Sequence, residues 1–200
     1  MRGYGYDIPD WDFSINGVSS IASDPHKMAY SVYPAGAILF KNEEILELSN
    51  WSASEIGRSG RLKTGGYGTY GILGTRPGSS VAATWALMNY IGKEGYRELS
   101  RKCMELTQRL VDESQEINGL GCLNAKPLVN LAGITSESKS TNMDDIKSKL
   151  QNKGWYFFNW HRASTGVFPE ENAIVIWVIP YYENTIPNFL SDLRDAVRGS

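Results

Sequence analysis

An α/β fold is predicted for this chain from three observations. Short apolar runs of strand length, among them Ala37-Ile38-Leu39-Phe40 and Ala173-Ile174-Val175-Ile176-Trp177-Val178-Ile179, are spread along the sequence. A long helical pattern runs from about Ser80 to Ile117, with Val81, Trp85, Met88, Ile91, Leu106 and Leu110 at helical spacing. Glycine- and proline-rich stretches punctuate the segments between them. Continuous apolar runs suit strands covered on both faces, whereas the 3.6-residue period suits a helix with one buried side.

Taken in order, Val18-Ser19-Ser20-Ile21-Ala22-Ser23 reads as a strand ending at the turn-prone Asp24-Pro25, and Ala37–Phe40 as a second strand led in by Pro34 and Gly36. Residues 43–48 fit a short helix or a strand. Residues 57–78 hold Gly57, Gly60, Gly65, Gly66, Gly68, Gly71, Gly74 and Gly78, which predicts an adaptable loop. The long helix should bend or break at Gly92 or at Gly95-Tyr96. Farther on, Leu128–Ala132 reads as a strand, and Thr141-Asn142-Met143-Asp144 as the capped start of a helix to about Asn152. Trp155–Trp160 reads as an aromatic strand and Ala173–Ile179 as the strongest strand signal. Asn184-Thr185 begins a last helix through about Asp195. Two domains are expected, residues 1–122 and a small α/β unit over 123–200.

Composition narrows the function classes. Hydrophobic residues make up 42% and charged residues 21%, ordinary proportions for a globular protein. A net charge of -2, with Lys and Arg scattered, gives no electrostatic footprint for nucleic acid. No apolar stretch approaches the ~18 residues needed to span a bilayer, and the N-terminus lacks the apolar core of a signal peptide. Cys103 and Cys122 have neither metal-ligand nor redox spacing and read as free thiols of a cytoplasmic protein.

The chemically informative stretch is Ser20-Ile21-Ala22-Ser23-Asp24-Pro25-His26-Lys27. It places a lysine just past a proline-fixed turn at the end of a strand, beside a histidine. A lysine amine must be neutral to attack an aldehyde, and partial burial next to another potential cation would favour that form. Taken by themselves, these residues are more simply explained as a plain surface turn.

Asp12-Phe13-Ser14 to Ile21, Asp24-Pro25-His26-Lys27-Met28 and Pro34-Ala35-Gly36-Ala37-Ile38-Leu39-Phe40 together resemble the lysine segment of the group II pyridoxal-phosphate-dependent decarboxylases. The likeness is to archaeal tyrosine/aspartate decarboxylases, with glutamate decarboxylases and sphingosine-phosphate lyases as relatives. Gly74-Thr75-Arg76-Pro77-Gly78, followed by Ala82-Ala83-Thr84-Trp85, resembles the Gly-Ser/Thr-Arg motif of the same enzymes, with Pro77-Gly78 nearer the lyase branch. Both motifs fall in family order over residues 12–97. The match of residues 123–200 to the family's small C-terminal domain is looser.

The resemblance implies the C-terminal portion of the fold-type I, aspartate aminotransferase-like fold: the end of the large-domain sheet with a long interface helix, then the small domain. It implies pyridoxal 5'-phosphate as cofactor and Lys27 as the residue forming the Schiff base. His26 would lie near the cofactor phosphate, or else bond backbone as a turn histidine. Gly74 and Thr75 would reach the phosphate bound by a neighbouring subunit, while Arg76 would either join them or make an ion pair at the interface. Tyr67 or Tyr70 could be the mobile tyrosine that protonates the reacting carbon, or an ordinary loop tyrosine. Family decarboxylases place a carboxylate-binding arginine in the last long strand, where this chain has Val175; Arg162 is nearby but off the motif. Losing a bidentate donor there weakens the case for an amino-acid substrate.

Family members are about twice this length, and the expected missing part precedes Asp12. A fragment, truncated product or half of a split enzyme is therefore expected, binding the cofactor weakly or not at all by itself. It would assemble as a homodimer or with a complementary chain, since uncovered strand edges invite pairing. The expected function is an amino-acid decarboxylase subunit. The alternatives are a sphingosine-phosphate-lyase-like aldehyde lyase and an inert remnant acting only in assembly. An unrelated α/β binding module would require both motifs to be accidental.

Overall fold

A computed structural model describes residues 5–52, 68–70, 76–137, 141–157 and 173–198, with backbone only for 50–52 and 68–70. The chain divides into two compact units, Pro9–Tyr96 and a second formed by Arg97–Ser200 with Met1–Ile8.

In the first unit, β1 (Ser20–Ser23) and β2 (Ala37–Phe40) form an antiparallel pair in the register Ser20↔Phe40 to Ser23↔Ala37. The expected coverage of both faces is not found. Ile38 is 56% and Leu39 49% exposed. Helix α1 (Glu43–Glu47) follows, started by the Asn42 side chain, which accepts from the Ile45 N–H at 3.0 Å. A second antiparallel pair joins β3 (Asn50–Ser52) to β4 (Gly68–Tyr70).

Helix α2 (Gly78–Gln115) carries the predicted break at Gly92, where φ 65 and ψ 174 leave the helical region. Glycine reaches that conformation without the Cβ clash other residues meet. Gly95 remains helical. Before the break, Val81 and Trp85 lie one turn apart on α2, 68% and 70% exposed.

The second unit holds the hydrophobic core. Strands β5 (Leu120–Cys122), β6 (Leu131–Ser136) and β7 (Ile174–Trp177) form an antiparallel sheet in the order β5-β6-β7. Ala132, Ile134 and Ile174 from the sheet pack with Leu106, Leu110 and Val111 from α2. Helix α3 (Met143–Asn152) adds Met143, Ile146 and Leu150, spaced three and four residues apart so that they share one face. A 3-10 turn (Pro180–Asn184) then leads into α4 (Ile186–Arg198), which buries Ile186, Phe189, Leu190, Leu193 and Ala196.

Local chemistry sets the ends of α3. The Asn142 side chain accepts from the backbone of Asp144 at 3.0 Å and Asp145 at 3.4 Å. At the other end Gly154, with φ +93, lets its own N–H reach the Gln151 carbonyl (2.9 Å) and the Trp155 N–H reach the Leu150 carbonyl (3.1 Å). These two bonds form a Schellman closure and satisfy carbonyls the helix leaves open.

Several boundaries differ from those expected. The compact units part between Tyr96 and Arg97 rather than at 122/123, because the last turns of α2 supply core side chains to the C-terminal sheet. The strand expected over 128–132 lies at Leu131–Ser136, and Asn130 instead makes a junction, its Nδ2 donating to the Val178 carbonyl at 2.7 Å. Residues 155–157 are not in a strand, and 158–160 lie outside the described residues. Cys103 and Cys122 are not joined in a disulfide; burial, reinforced by Asp112 and Glu137, pushes the Cys122 thiol up to about 11.

Candidate active site

Lys27 lies on a tight turn just past the end of β1. Its N–H donates to the Asp24 carbonyl at 2.9 Å, the Tyr30 N–H to the Lys27 carbonyl at 3.1 Å, and the Ser31 N–H back to the Pro25 carbonyl at 3.0 Å. Tyr30 sits at φ 57, a left-handed conformation uncommon outside glycine and held here by the bonds around it.

Side chains fasten the same loop to α2. Thr84 donates its hydroxyl to the Ser80 carbonyl at 2.7 Å, so in the 2.6 Å contact between Ser31 Oγ and Thr84 Oγ1 it is Ser31 that donates. Tyr96 donates to the Ala29 carbonyl at 2.9 Å. The Lys27 loop is thus tied at Ala29 and Ser31, on helix residues either side of the Gly92 break.

His26 adjoins Lys27 but turns partly away from solvent. Its Nδ1 lies 2.5 Å from the Ala35 carbonyl and therefore carries a proton. Its ring rests on that of Tyr33, with centroids 4.2 Å apart. Nε2 remains the atom able to meet an anion, and it can donate only from the doubly protonated ring. The ring is thus bonded to backbone through Nδ1.

The Lys27 amine departs from expectation. Instead of being partly buried and discharged, Nζ is exposed and ion-paired with Asp24 Oδ2 at 2.8 Å. The Asp24 carboxylate holds the amine above its ordinary range, and Lys27 holds the carboxyl below its own. His26, the other potential cation, does not outweigh a carboxylate in direct contact. Asp24 was legible in the sequence only as a turn former, although its spacing of three residues from Lys27 suits a charge pair. Thr84 stood within the second motif but without an assigned role, and Ser31 and Tyr96 had no signal as site residues.

The remaining predicted residues are less fully placed. Tyr67, Gly74, Thr75 and Arg162 lie outside the described residues. Tyr70 ends β4, its backbone opposite Asn50. Arg76 is exposed two residues before α2. Val175 pairs with Gly133 in the sheet of the second unit. It lines a cavity of about 210 Å³ walled by Trp155, Phe157, Trp177 and Phe189 among others. That apolar wall is where the family arginine was sought.

An aldehyde cofactor requires an accessible primary amine on a fixed backbone. Lys27 meets this requirement, and the turn has a ring nitrogen, His26 Nε2, suited to an anionic group once protonated. The donor set therefore fits the covalent anchor of pyridoxal phosphate.

Comparison with known proteins agrees with the motifs. A probable L-aspartate decarboxylase of Thermococcus gammatolerans is 33% identical over 199 residues, a match covering 99% of this chain and 46% of that protein. A sphingosine-1-phosphate lyase of Arabidopsis thaliana is 33% identical over 196 residues, covering 98% of this chain and 33% of its own length. Among solved structures, a sphingosine-1-phosphate lyase of Burkholderia pseudomallei superposes with TM-score 0.79 at 25% identity, over 98% of this chain and 41% of that one. A glutamate decarboxylase of Lactobacillus brevis gives TM-score 0.73 at 20% identity, over 94% of this chain and 42% of its own, and supports the fold alone. The fold is that of the C-terminal portion of fold-type I enzymes, and the chain spans about half the length, or less, of the relatives it matches. Residues 5–126 match the pyridoxal-dependent decarboxylase conserved domain, and the chain belongs to that family.

Proposed function

We propose that this chain is the C-terminal part of a pyridoxal-phosphate-dependent carbon–carbon lyase acting as an amino-acid decarboxylase, with Lys27 as the covalent anchor. The observation that carries the reading is the turn itself. An accessible lysine amine is set by backbone bonds at residues 24–31 and tied by Ser31 and Ala29 to α2. When bound, pyridoxal phosphate supplies the electron sink for carbanion chemistry at the substrate α-carbon.

The chain's own residues hold and orient. Lys27 provides the nucleophilic nitrogen and later a proton carrier. His26, in its doubly protonated form, donates from Nε2 to a phosphate oxygen. Gly74 and Thr75 are assigned to a neighbouring subunit's cofactor phosphate, with Arg76 beside them or in an interface ion pair. Tyr67 or Tyr70 is assigned to protonating the reacting carbon. Assembly as a homodimer, or with a polypeptide supplying the other half of the fold, completes the site. Relatives named for L-aspartate and L-tyrosine point to those amino acids as first substrates to try.

A second reading, an aldehyde lyase acting on a phosphorylated amino alcohol, is favoured by Val175. Among the described residues, those lining the cavity beside it carry no cation for a retained carboxylate.

The test is borohydride reduction after incubation with pyridoxal phosphate, with and without a polypeptide corresponding to the remaining half of an archaeal relative, followed by peptide mapping. Label at Lys27 that depends on the second polypeptide, and disappears in Lys27→Ala, is the expected result. Label at no site above the background of other lysines would sink the catalytic reading and leave an assembly role.

A further inference from the structure

We propose that Asp24 is a positioning residue for the Lys27 nitrogen, the counter-ion that fixes where this nitrogen lies and governs its protonation before and after it is joined to an aldehyde. The inference rests on the reading of Lys27 as the covalent anchor.

Geometry carries the argument. Asp24 Oδ2 stands 2.8 Å from Nζ, and the two residues are also joined through the Lys27 N–H to the Asp24 carbonyl at 2.9 Å. Pro25, between them, fixes its own φ, so the pair is held within one rigid turn and loses less chain entropy than two distant side chains would. Among the described residues, the other titratable groups facing the pair are His26 and Tyr33. The His26 ring is committed to the Ala35 carbonyl and to the Tyr33 ring, and Asp24 is the described carboxylate in contact with the amine.

The chemistry gives this carboxylate a task on both sides of the reaction. An ammonium and an aldehyde yield a protonated imine and water. The amine sheds a proton, its lone pair forms the bond to the carbonyl carbon, and the carbonyl oxygen departs as water. The nitrogen ends as a cation, as it began. Charge is conserved at the nitrogen, so a fixed carboxylate stabilises both states. Before reaction it lowers the share of free amine; afterwards it keeps the imine protonated and therefore electrophilic. Both effects are modest because the pair is exposed and screened.

The test begins with the cofactor-free chain. The Lys27 amine is titrated by NMR, identified by its loss in Lys27→Arg, in wild type, Asp24→Asn and Asp24→Glu. In Asp24→Asn the midpoint should fall, raising the free-amine fraction at a fixed pH below it roughly two- to five-fold. Asp24→Glu should restore most of the wild-type behaviour. In the unmodified chain, raising salt from 0.05 to 1 M should move the midpoint the same way, which needs no variant to fold. Borohydride trapping of pyridoxal phosphate at Lys27, in the presence of the complementary polypeptide, should then shift its pH profile downward in Asp24→Asn. A midpoint unmoved by both the substitution and salt would overturn the role of Asp24. A midpoint that moves while Lys27 never traps the cofactor would instead remove the anchor reading, and with it the place of Asp24 in the reaction.

Discussion

Tyr96 donates its hydroxyl to the carbonyl of Ala29, two residues past Lys27, at 2.9 Å. This bond joins the helical residue after the Gly92 break to the loop that presents the amine. The same loop is bonded at Ser31 to Thr84, before the break. A loop anchored at two separated points is constrained in rotation as well as position, which an isolated turn is not.

Tyr96→Phe removes the donor and leaves the Ala29 carbonyl to water, at a cost of about 1 kcal/mol. Amide exchange at Tyr30 and Ser31 should accelerate while that of the C-terminal core is unchanged. Burial holds the Tyr96 phenol above its ordinary value. A group whose folded-state value is raised contributes its full stability below the unfolded value, about 10 for tyrosine, and loses it as pH rises through the folded one. The alkaline loss of protection in the Lys27 loop should therefore begin near pH 10 in the wild type and lack this component in Tyr96→Phe. Equal alkaline profiles for the two proteins would show that the bond contributes nothing.

The motif residues were the legible part of the candidate site. Asp24-Pro25-His26-Lys27 is a contiguous string whose turn chemistry can be read directly, and the interrupting Gly92 could be seen inside a helical period. The state of Lys27 could not be read, since burial depends on what covers a turn, and an apolar run such as Ala37–Phe40 says only that coverage would be favourable. Strand β6 was misplaced for a related reason. Its core face is Ala132 and Ile134, while Gly133, Thr135 and Ser136 give no apolar signal, so the run Leu128–Ala132 drew attention too early in the chain. The ties from Thr84 and Tyr96 join residues 53 and 67 positions away, distances at which a single sequence holds no pairing information.

Asp192 fastens the end of α3 to α4. Lys153 Nζ lies 2.6 Å from Asp192 Oδ1 and 3.2 Å from Asp195 Oδ2, and Trp155 Nε1 donates to Asp192 Oδ2 at 2.8 Å. Lys153 first, then Trp155, holds the Asp192 carboxyl below its ordinary range. A depressed carboxyl contributes stability above its unfolded value, about 4, and loses it as pH falls through the folded one. Asp192→Asn should consequently flatten the acid limb of a stability-versus-pH curve below about pH 4. The Trp155 ring also packs edge-on against Phe189, centroids 5.3 Å apart, so Trp155→Phe keeps an aromatic ring there while losing the indole donor. Its cost should be about 1 kcal/mol, and smaller in the Asp192→Asn background, where the acceptor is no longer charged. Additive costs in urea titrations of the four proteins would contradict the coupling.

Leu190 and Ile38 separate the two kinds of apolar surface in this chain. Leu190 is 0% exposed among Ile146, Leu150 and Leu193, so Leu190→Ala removes buried methyl groups and leaves a cavity. A loss of about 2–5 kcal/mol follows, read from the urea midpoint of the C-terminal unit. Ile38 is 56% exposed on β2, and Ile38→Ala should change the stability of the isolated chain by no more than about 0.5 kcal/mol. Once a complementary polypeptide covers β1 and β2, the same substitution should weaken the complex, because the isoleucine then leaves water on association. Titration calorimetry of wild type and Ile38→Ala against that polypeptide makes the comparison. Unchanged affinity would mean that the β1–β2 face is not where the remainder of the fold docks. A large loss of stability in the isolated chain would mean that Ile38 is already covered.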